Sequence, residues 1–406
     1  MAEHPSRDRA AVLALHAVNA ASRRVGRGAG TVAGGRVALA LAPGLLGRLA
    51  ERRVIGLVTG TNGKTTTTAC LAAALSTLGD VATNATGSNM PPGHVAALAG
   101  APRAPFAALE VDEVWLSKVL AEESAAAVVL LNLSRDQLDR TAEVRKVADK
   151  WATALAGFPG VVVANADDPL VVHAALGAPD VAWFAGGLAW REDAIACPRC
   201  AGRLSFSAET WQCECGFARP VPEAVLDGTY ATLRGSRVAF AVALPGRFNR
   251  ANALGALLCA VRMGAGLDAA AATIARVDEV AGRFSRTVVD GVAARLLLAK
   301  NPAGWRALLD LLDDEVGPVV VAVNARDADG HDPSWLYDVD FERLAGRRVV
   351  ATGERWRDLS ARLFYAGVEH ACESEARSAI LLAGRDGDAV EVIANYTAFA
   401  DLAAAR

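Results

Sequence analysis

No apolar run in this chain approaches the roughly 20 residues that a membrane-spanning helix needs, and Met1-Ala-Glu-His-Pro-Ser-Arg7 lacks the ordered charged and apolar regions of a signal peptide. An integral membrane protein and an exported one are therefore not expected, and the chain reads as cytosolic. Strong charge of either sign is also missing. The 42 Lys and Arg stand against 45 Asp and Glu, a formal net charge of −3 that gives no global attraction to nucleic acid. Lysine itself is rare, five residues in 406, a bias without mechanistic content. What is present is apolar: a hydrophobic content of 52% excludes a disordered chain, and 406 residues exceed one comfortable core, so two or three domains are expected.

The most informative stretch is Val58-Thr-Gly-Thr-Asn-Gly-Lys-Thr-Thr-Thr67. Val54 to Thr59 reads as a buried strand and Thr65 to Leu78 as the helix it feeds. Between them, Gly60, Thr61, Asn62 and Gly63 let successive N–H groups converge on one anion, and the helix N-terminus adds partial positive charge. Lys64 is expected to be an exposed loop lysine reaching the β- and γ-phosphates of a nucleotide, and Thr65, followed by Thr66, to offer a hydroxyl to Mg²⁺. Val58 stands where the longer phosphate-loop pattern has its first glycine, so the loop is a shortened variant. A glycine-rich turn without a ligand is the alternative.

Four of the seven cysteines cluster as Cys197-Pro-Arg-Cys200 and Cys213-Glu-Cys215. Two such knuckles can share one tetrahedral Zn²⁺, with Phe206 and Trp211 capping the hairpin between them. A disulfide, disfavoured by compartment, or four buried thiols are the alternatives. The ribbon lacks a basic face, so a structural role is expected rather than nucleic-acid binding. Cys70, Cys259 and Cys372 lie on apolar stretches and read as core.

Residues 1–52 suggest one or two helices. Their arginines (Arg23, Arg24, Arg27, Arg48, Arg52, Arg53) read as a solvated helix face, with an anionic lipid surface or a pyrophosphate as the other readings. From 53 to 285 strands and helices alternate, which predicts a doubly wound parallel sheet with ligands at the strand C-termini, interrupted by the zinc insertion at 193–222. A second, smaller α/β domain is expected over 286–406, with strands at 293–299, 319–324, 347–351 and 389–393. Acidic residues sit where strands end. Glu110, with Asp112 and Glu113, follows the strand Phe106 to Glu110, and Asn132 to Arg140 repeats the arrangement one strand over. A carboxylate there serves either as a Mg²⁺ ligand facing the phosphate loop or as an ordinary helix N-cap.

These residues together resemble the Mur ligase family, ATP-dependent amide-forming enzymes of peptidoglycan synthesis. The shared motifs are Gly60-Thr-Asn-Gly-Lys-Thr-Thr66, Glu110-Val-Asp-Glu113, Asn132-Leu-Ser-Arg-Asp-Gln-Leu-Asp-Arg140, Asn165-Ala-Asp-Asp-Pro169, Gly246-Arg-Phe-Asn249-Arg-Ala-Asn252 and Gly282-Arg-Phe-Ser-Arg286. Lys300-Asn-Pro-Ala-Gly304, the four-cysteine insertion and the acidic stretch Asp329 to Glu342 are similar to the MurT branch, the synthetase subunits of lipid II isoglutaminyl synthase.

The resemblance implies a P-loop Mur-ligase central domain and a Rossmann-like C-terminal domain, with ATP, Mg²⁺ and Zn²⁺. It implies Lys64 and Thr65 as γ-phosphate and Mg²⁺ residues, Glu110 as the carboxylate ligand, Asn249 and Asn252 on the nucleotide-reading helix, and Arg283 on the phosphates. Phe248, Gln137 and Leu298 depart from the family pattern at a histidine, a histidine and a ribose-binding aspartate. Lys150 lies near the lysine that several Mur ligases carbamylate but reads as a plain helix lysine. The implied reaction is amidation of the D-glutamate α-carboxyl of membrane-anchored lipid II at the inner face of the membrane, through an acyl phosphate. The chain has no glutaminase signature, so ammonia is implied to come from a GatD-type glutamine amidotransferase subunit. In such an assembly the synthetase lends an aspartate to the partner's Cys-His pair, here Asp338 with Asp340 as runner-up. A Mur or folylpolyglutamate-type amino-acid ligase, and a non-catalytic zinc-ribbon ATP-binding regulator, are the rival functions.

Overall fold

A computed structural model describes residues 5–24, 30–84, 88–135, 144–187, 191–208, 210–278, 284–313 and 317–404. The chain divides into two compact units, the first formed by residues 1–133, 145–244 and 248–278 and the second by 134–144, 245–247 and 279–406.

The first unit opens with three helices, α1 (Pro5–Arg24), α2 (Thr31–Leu41) and α3 (Leu45–Ala50), of which α2 and α3 pack on the later helix Pro91–Gly100. The sheet and its helices then follow in order as β1 (Val54–Thr59), α4 (Lys64–Leu75), β2 (Val81–Thr83), α5 (Pro91–Gly100), β3 (Phe106–Glu110), α6 (Leu116–Glu122), β4 (Ala127–Leu130), α7 (Val144–Leu155), β5 (Val161–Asn165), α8 (Pro169–Ala175) and β6 (Val181–Ala185). A small antiparallel pair, β7 (Ser205–Phe206) and β8 (Trp211–Gln212), forms the ribbon. Next come β9 (Ala224–Asp227), β10 (Tyr230–Leu233), β11 (Ser236–Ala239), α9 (Arg247–Arg262) and α10 (Leu267–Ile274). The nine-stranded order is β11-β10-β9-β6-β5-β4-β1-β3-β2, parallel from β9 through β2 with an antiparallel meander at the other edge.

Central strands of such a sheet are covered on both faces, so they read as unbroken apolar runs; β4, Ala-Val-Val-Leu, is buried at every position. The expected strands at 54–59 and 106–110 are observed with those bounds. α6 begins only at Leu116, because Asp112 Oδ1 accepts the Val114 N–H at 3.0 Å and turns the chain first.

The second unit holds β12 (Phe284–Val289), β13 (Val292–Leu298), α11 (Pro302–Leu312), β14 (Val319–Ala322), β15 (Val349–Thr352), α12 (Trp356–Tyr365), β16 (His370–Cys372), α13 (Ala376–Ala383), β17 (Val390–Ala394) and α14 (Tyr396–Ala404). Its order is β12-β13-β17-β14-β15-β16, parallel except for β12, which returns on β13 through an Asp290-Gly291 turn. Asn301 caps α11, its side chain accepting the Gly304 N–H at 2.9 Å. Cys70 and Cys259 are core, as expected, but Cys372 is exposed, because β16 is the edge strand of this sheet.

Candidate functional site

The loop leaving β1 draws together most of the residues singled out in the sequence. Gly60 and Gly63 have φ values of 144° and 86°, and a Cβ at Gly63 would lie 2.5 Å from Asn252 Nδ2. Only glycine allows both the turn and this approach of α9. Asn252 is thereby brought against the loop, and Asn249 is buried on the same helix.

Lys64 does not extend into solvent. Its Nζ donates to the Gly60 carbonyl at 2.6 Å, to the Thr61 carbonyl at 3.2 Å and to Glu113 Oε2 at 2.9 Å, and the residue is 4% exposed. The expected exposed loop lysine is therefore corrected to a buried one. The turn after β3 carries Glu113 back over the loop, and an ammonium among carbonyls is stable there because a carboxylate pairs with it.

Glu110 stands opposite Val58 across the β1–β3 pairing, level with the start of the loop. Thr65 Oγ1 donates to its Oε2 at 2.8 Å and Asn89 Nδ2 to its Oε1 at 3.3 Å. It caps no helix, since α6 starts six residues later with Trp115 at its N-cap. Its main chain is clamped as well. The Glu110 N–H donates to Asn84 Oδ1 at 2.8 Å, and its carbonyl accepts from Asn84 Nδ2 and from His94 Nε2, both at 2.9 Å. His94 Nδ1 lies 2.6 Å from Glu123 Oε1. Burial opposes a charge on His94, but the Glu123 carboxylate outweighs it and holds the imidazole above its ordinary pKa.

The other flank of the loop is tied down by Asn132, just beyond β4. Its Oδ1 accepts the Asn62 N–H and its Nδ2 donates to the Asn62 carbonyl, both at 2.9 Å, while its own carbonyl accepts the Thr61 N–H at 2.9 Å. Asn84, Asn89, His94, Glu113 and Asn132 received no individual role from sequence. Only the acidic run after β3 hinted at one of them.

A di- or triphosphate fits this arrangement: a glycine turn, a cation and a helix start whose first i→i−4 bond runs from Thr67 N–H to the Gly63 carbonyl. The Thr65 hydroxyl and Glu110 carboxylate, already in contact, are the oxygen pair that would hold a hard divalent cation such as Mg²⁺. Arg283 and residues 136–140 lie outside the described residues. Lys150 is exposed on α7, whereas neighbouring Trp151 is buried and donates to the Glu113 carbonyl at 2.8 Å.

The ribbon brings Cys197, Cys200, Cys213 and Cys215 together, with all four Sγ atoms within 4.8 Å of one another. Cys197 and Cys215 are 3.7 Å apart and Cys200 and Cys213 3.5 Å, with no disulfide. Thiolates about 2.3 Å from Zn²⁺ stand roughly 3.8 Å apart along the edges of a tetrahedron, so the sulfurs fit a closed zinc shell. The backbone N–H groups of Arg199 and Gly202 donate to Cys197 and Cys200 sulfur at 3.4 Å, and that of Phe217 draws the Cys215 thiol down to about 7, while the neighbouring thiols and burial hold those of Cys200 and Cys213 up. Such donors favour thiolates, the metal-binding form. Trp211 packs tilted against Phe217, ring centroids 4.9 Å apart, and donates to the Ala166 carbonyl at 3.0 Å, while Arg219 pairs with Asp167 at 2.8 Å, which docks the ribbon on the loop after β5.

In the second unit Asp338 is 41% exposed and lies 3.4 Å from Arg135, and Asp340 pairs with Arg306 at 3.0 Å.

Comparison with known proteins agrees with this architecture. Residues 58–185 match the Mur ligase middle domain and residues 298–399 the MurT ligase C-terminal family. The chain is 28% identical over 375 residues to the lipid II isoglutaminyl synthase (glutamine-hydrolyzing) subunit MurT of Staphylococcus aureus, covering 86% of each chain. It is 29% identical to the subunit of that name from Streptococcus pneumoniae, covering 94% of each. Among solved structures, Mycobacterium tuberculosis folylpolyglutamate synthase complexed with ADP and AMPPCP superimposes with a TM-score of 0.62 at 15% identity, over 98% of this chain and 99% of that one.

Proposed function

The chain belongs to the Mur ligase family and carries a MurT-type C-terminal region, and from that premise we propose that this ligase amidates a carboxyl group of a lipid-linked peptidoglycan precursor at the expense of ATP. The observation that carries the reading is the convergence of Lys64, Thr65, Glu110 and Glu113 at the ends of β1 and β3. Carboxylates do not react with ammonia near neutral pH, so the acceptor, taken as the D-glutamate α-carboxyl of lipid II, first takes the γ-phosphoryl group of ATP to give an acyl phosphate and ADP, and ammonia then attacks the acyl carbon and displaces phosphate. Lys64 spreads the charge of the transferred phosphoryl group, exchanging its contact with Glu113 for one with the phosphate. Thr65 and Glu110 would hold Mg²⁺, which neutralises phosphate charge. The clamps from Asn84, His94 and Asn132 fix these donors before the nucleotide arrives.

Ammonia comes from a GatD-type glutaminase partner, to which Asp338 lends its carboxylate. The names of the S. aureus and S. pneumoniae relatives, glutamine-hydrolyzing synthase subunits, support this division of labour. The test is phosphate release and product mass with lipid II, ATP and either glutamine plus partner or free ammonia. Amide product with both donors supports the reading; ATP turnover only with an added amino acid would instead favour the folylpolyglutamate-synthase-type reaction suggested by the full-length structural match.

A further inference from the structure

We propose that the face formed by α1 and α3 is a docking surface for an anionic lipid bilayer, an inference that rests on the reading of the acceptor as lipid-linked. Between these helices runs an open groove of about 460 Å³, floored by Val12, Leu13, Leu45 and Leu49 and edged by Arg9 and by the paired Asp8 and Arg48. Leu13 is 69% exposed, an apolar side chain with no core to serve. The groove is built rather than incidental. Arg48 grips Asp8 with two bonds, Nε to Oδ2 at 2.8 Å and Nη2 to Oδ1 at 2.7 Å, which fixes α3 against α1. At the same edge Arg7 Nε donates to the Leu41 carbonyl at 2.6 Å, and the Leu41 side chain is itself exposed.

Charge selects the occupant. Residues 5–53 hold nine arginines and two carboxylates in a chain whose formal net charge is −3, so cationic charge is concentrated on this segment. The segment contains no Phe, Tyr or Trp. Aromatic anchors characterise protein hot spots, and aromatic platforms characterise single-stranded nucleic-acid sites. Exposed Leu13 and Leu41, with Arg9 and Arg7 beside them, instead match the boundary between phosphate headgroups and acyl chains. Each arginine near such a surface adds about fivefold to partitioning at moderate ionic strength. Docking there would hold the enzyme at the surface where a lipid-linked acceptor resides.

The test is co-sedimentation of the full chain with vesicles of phosphatidylcholine alone and of phosphatidylcholine with 30 mol% phosphatidylglycerol, an added fraction of about one third that gives a strongly negative surface. Binding to the anionic vesicles only, weakened by high salt, is expected. Arg9→Glu should reduce it about tenfold or more, and Leu13→Gln should reduce it at constant charge, neither residue being needed for the fold. Lys64→Ala should bind vesicles as the unaltered chain does, which separates this surface from the ligase reading. Vesicle binding without amidation would sink the ligase reading and leave the surface standing. Equal partitioning to both vesicle types, no partitioning, or loss of glutaminase or RNA binding in Arg9→Glu with vesicle binding unchanged would overturn the proposal.

Discussion

Lys64 Nζ sits 2.9 Å from Glu113 Oε2, with both side chains almost sealed from water. Removing one member of a buried ion pair leaves the other charge unpaired, which costs about 3–5 kcal/mol in fully buried cases. Lys64→Ala is therefore expected to lower stability by about 2–4 kcal/mol as well as abolish ATP-dependent turnover. Glu113→Gln in the same chain should restore most of the stability and none of the turnover. Urea midpoints and phosphate release on the two variants check this; an unchanged midpoint for Lys64→Ala would remove the pair from the account.

His94 gives the fold a pH dependence. Its folded pKa is raised, against burial, by Glu123, so its contribution is complete below the unfolded value of about 6.5 and is lost as pH rises through the folded value. Between pH 6 and pH 9, about the range over which histidine discharges, the unaltered chain should lose more stability than His94→Gln does. Parallel stability curves would show that the pair is not charged. Because His94 also holds the Glu110 carbonyl, nucleotide affinity in the presence of Mg²⁺ should fall in the variant even at pH 6, a value at which both chains fold.

The four-cysteine shell predicts one Zn²⁺ per chain. Cys200→Ser or a strong chelator should expose Arg199 and Arg203 to trypsin and shift the emission of Trp211, which packs between the ribbon and the Ala166 carbonyl. The large parallel sheet should keep its far-ultraviolet circular dichroism. Metal analysis that finds no zinc, or a sheet that melts with the ribbon, would contradict a local structural role.

Asp338→Asn should separate the two nitrogen sources. Glutamine-dependent amidation is expected to drop about a hundredfold or more, while high concentrations of free ammonia still support the reaction because the phosphate loop is untouched. Equal loss with both donors would assign Asp338 to the synthetase reaction or to its contact with Arg135.

Much of the candidate site was legible in the chain because its signals are local. The turn Gly60 to Lys64, the spacing of Cys197, Cys200, Cys213 and Cys215, and the carboxylate ending β3 each depend on residues within a few positions of one another. The strands at 54–59 and 106–110 were legible for the same reason, as apolar runs bounded by turns. β6 was not read, since Val-Ala-Trp-Phe-Ala gives no period that separates a strand from a short buried helix, and its strand state is set by pairing with β5 and β9. The clamps were illegible too. Asn84 and Asn132 lie 26 and 70 positions from the backbone groups they hold, and His94 lies 29 from Glu123. Lys64 could be recognised as the loop's cation from sequence, but its burial against Glu113 followed only when β3 came to lie beside β1. Residue type and short spacing determine which chemistry is possible; desolvation and long-range pairing depend on neighbours that folding alone supplies.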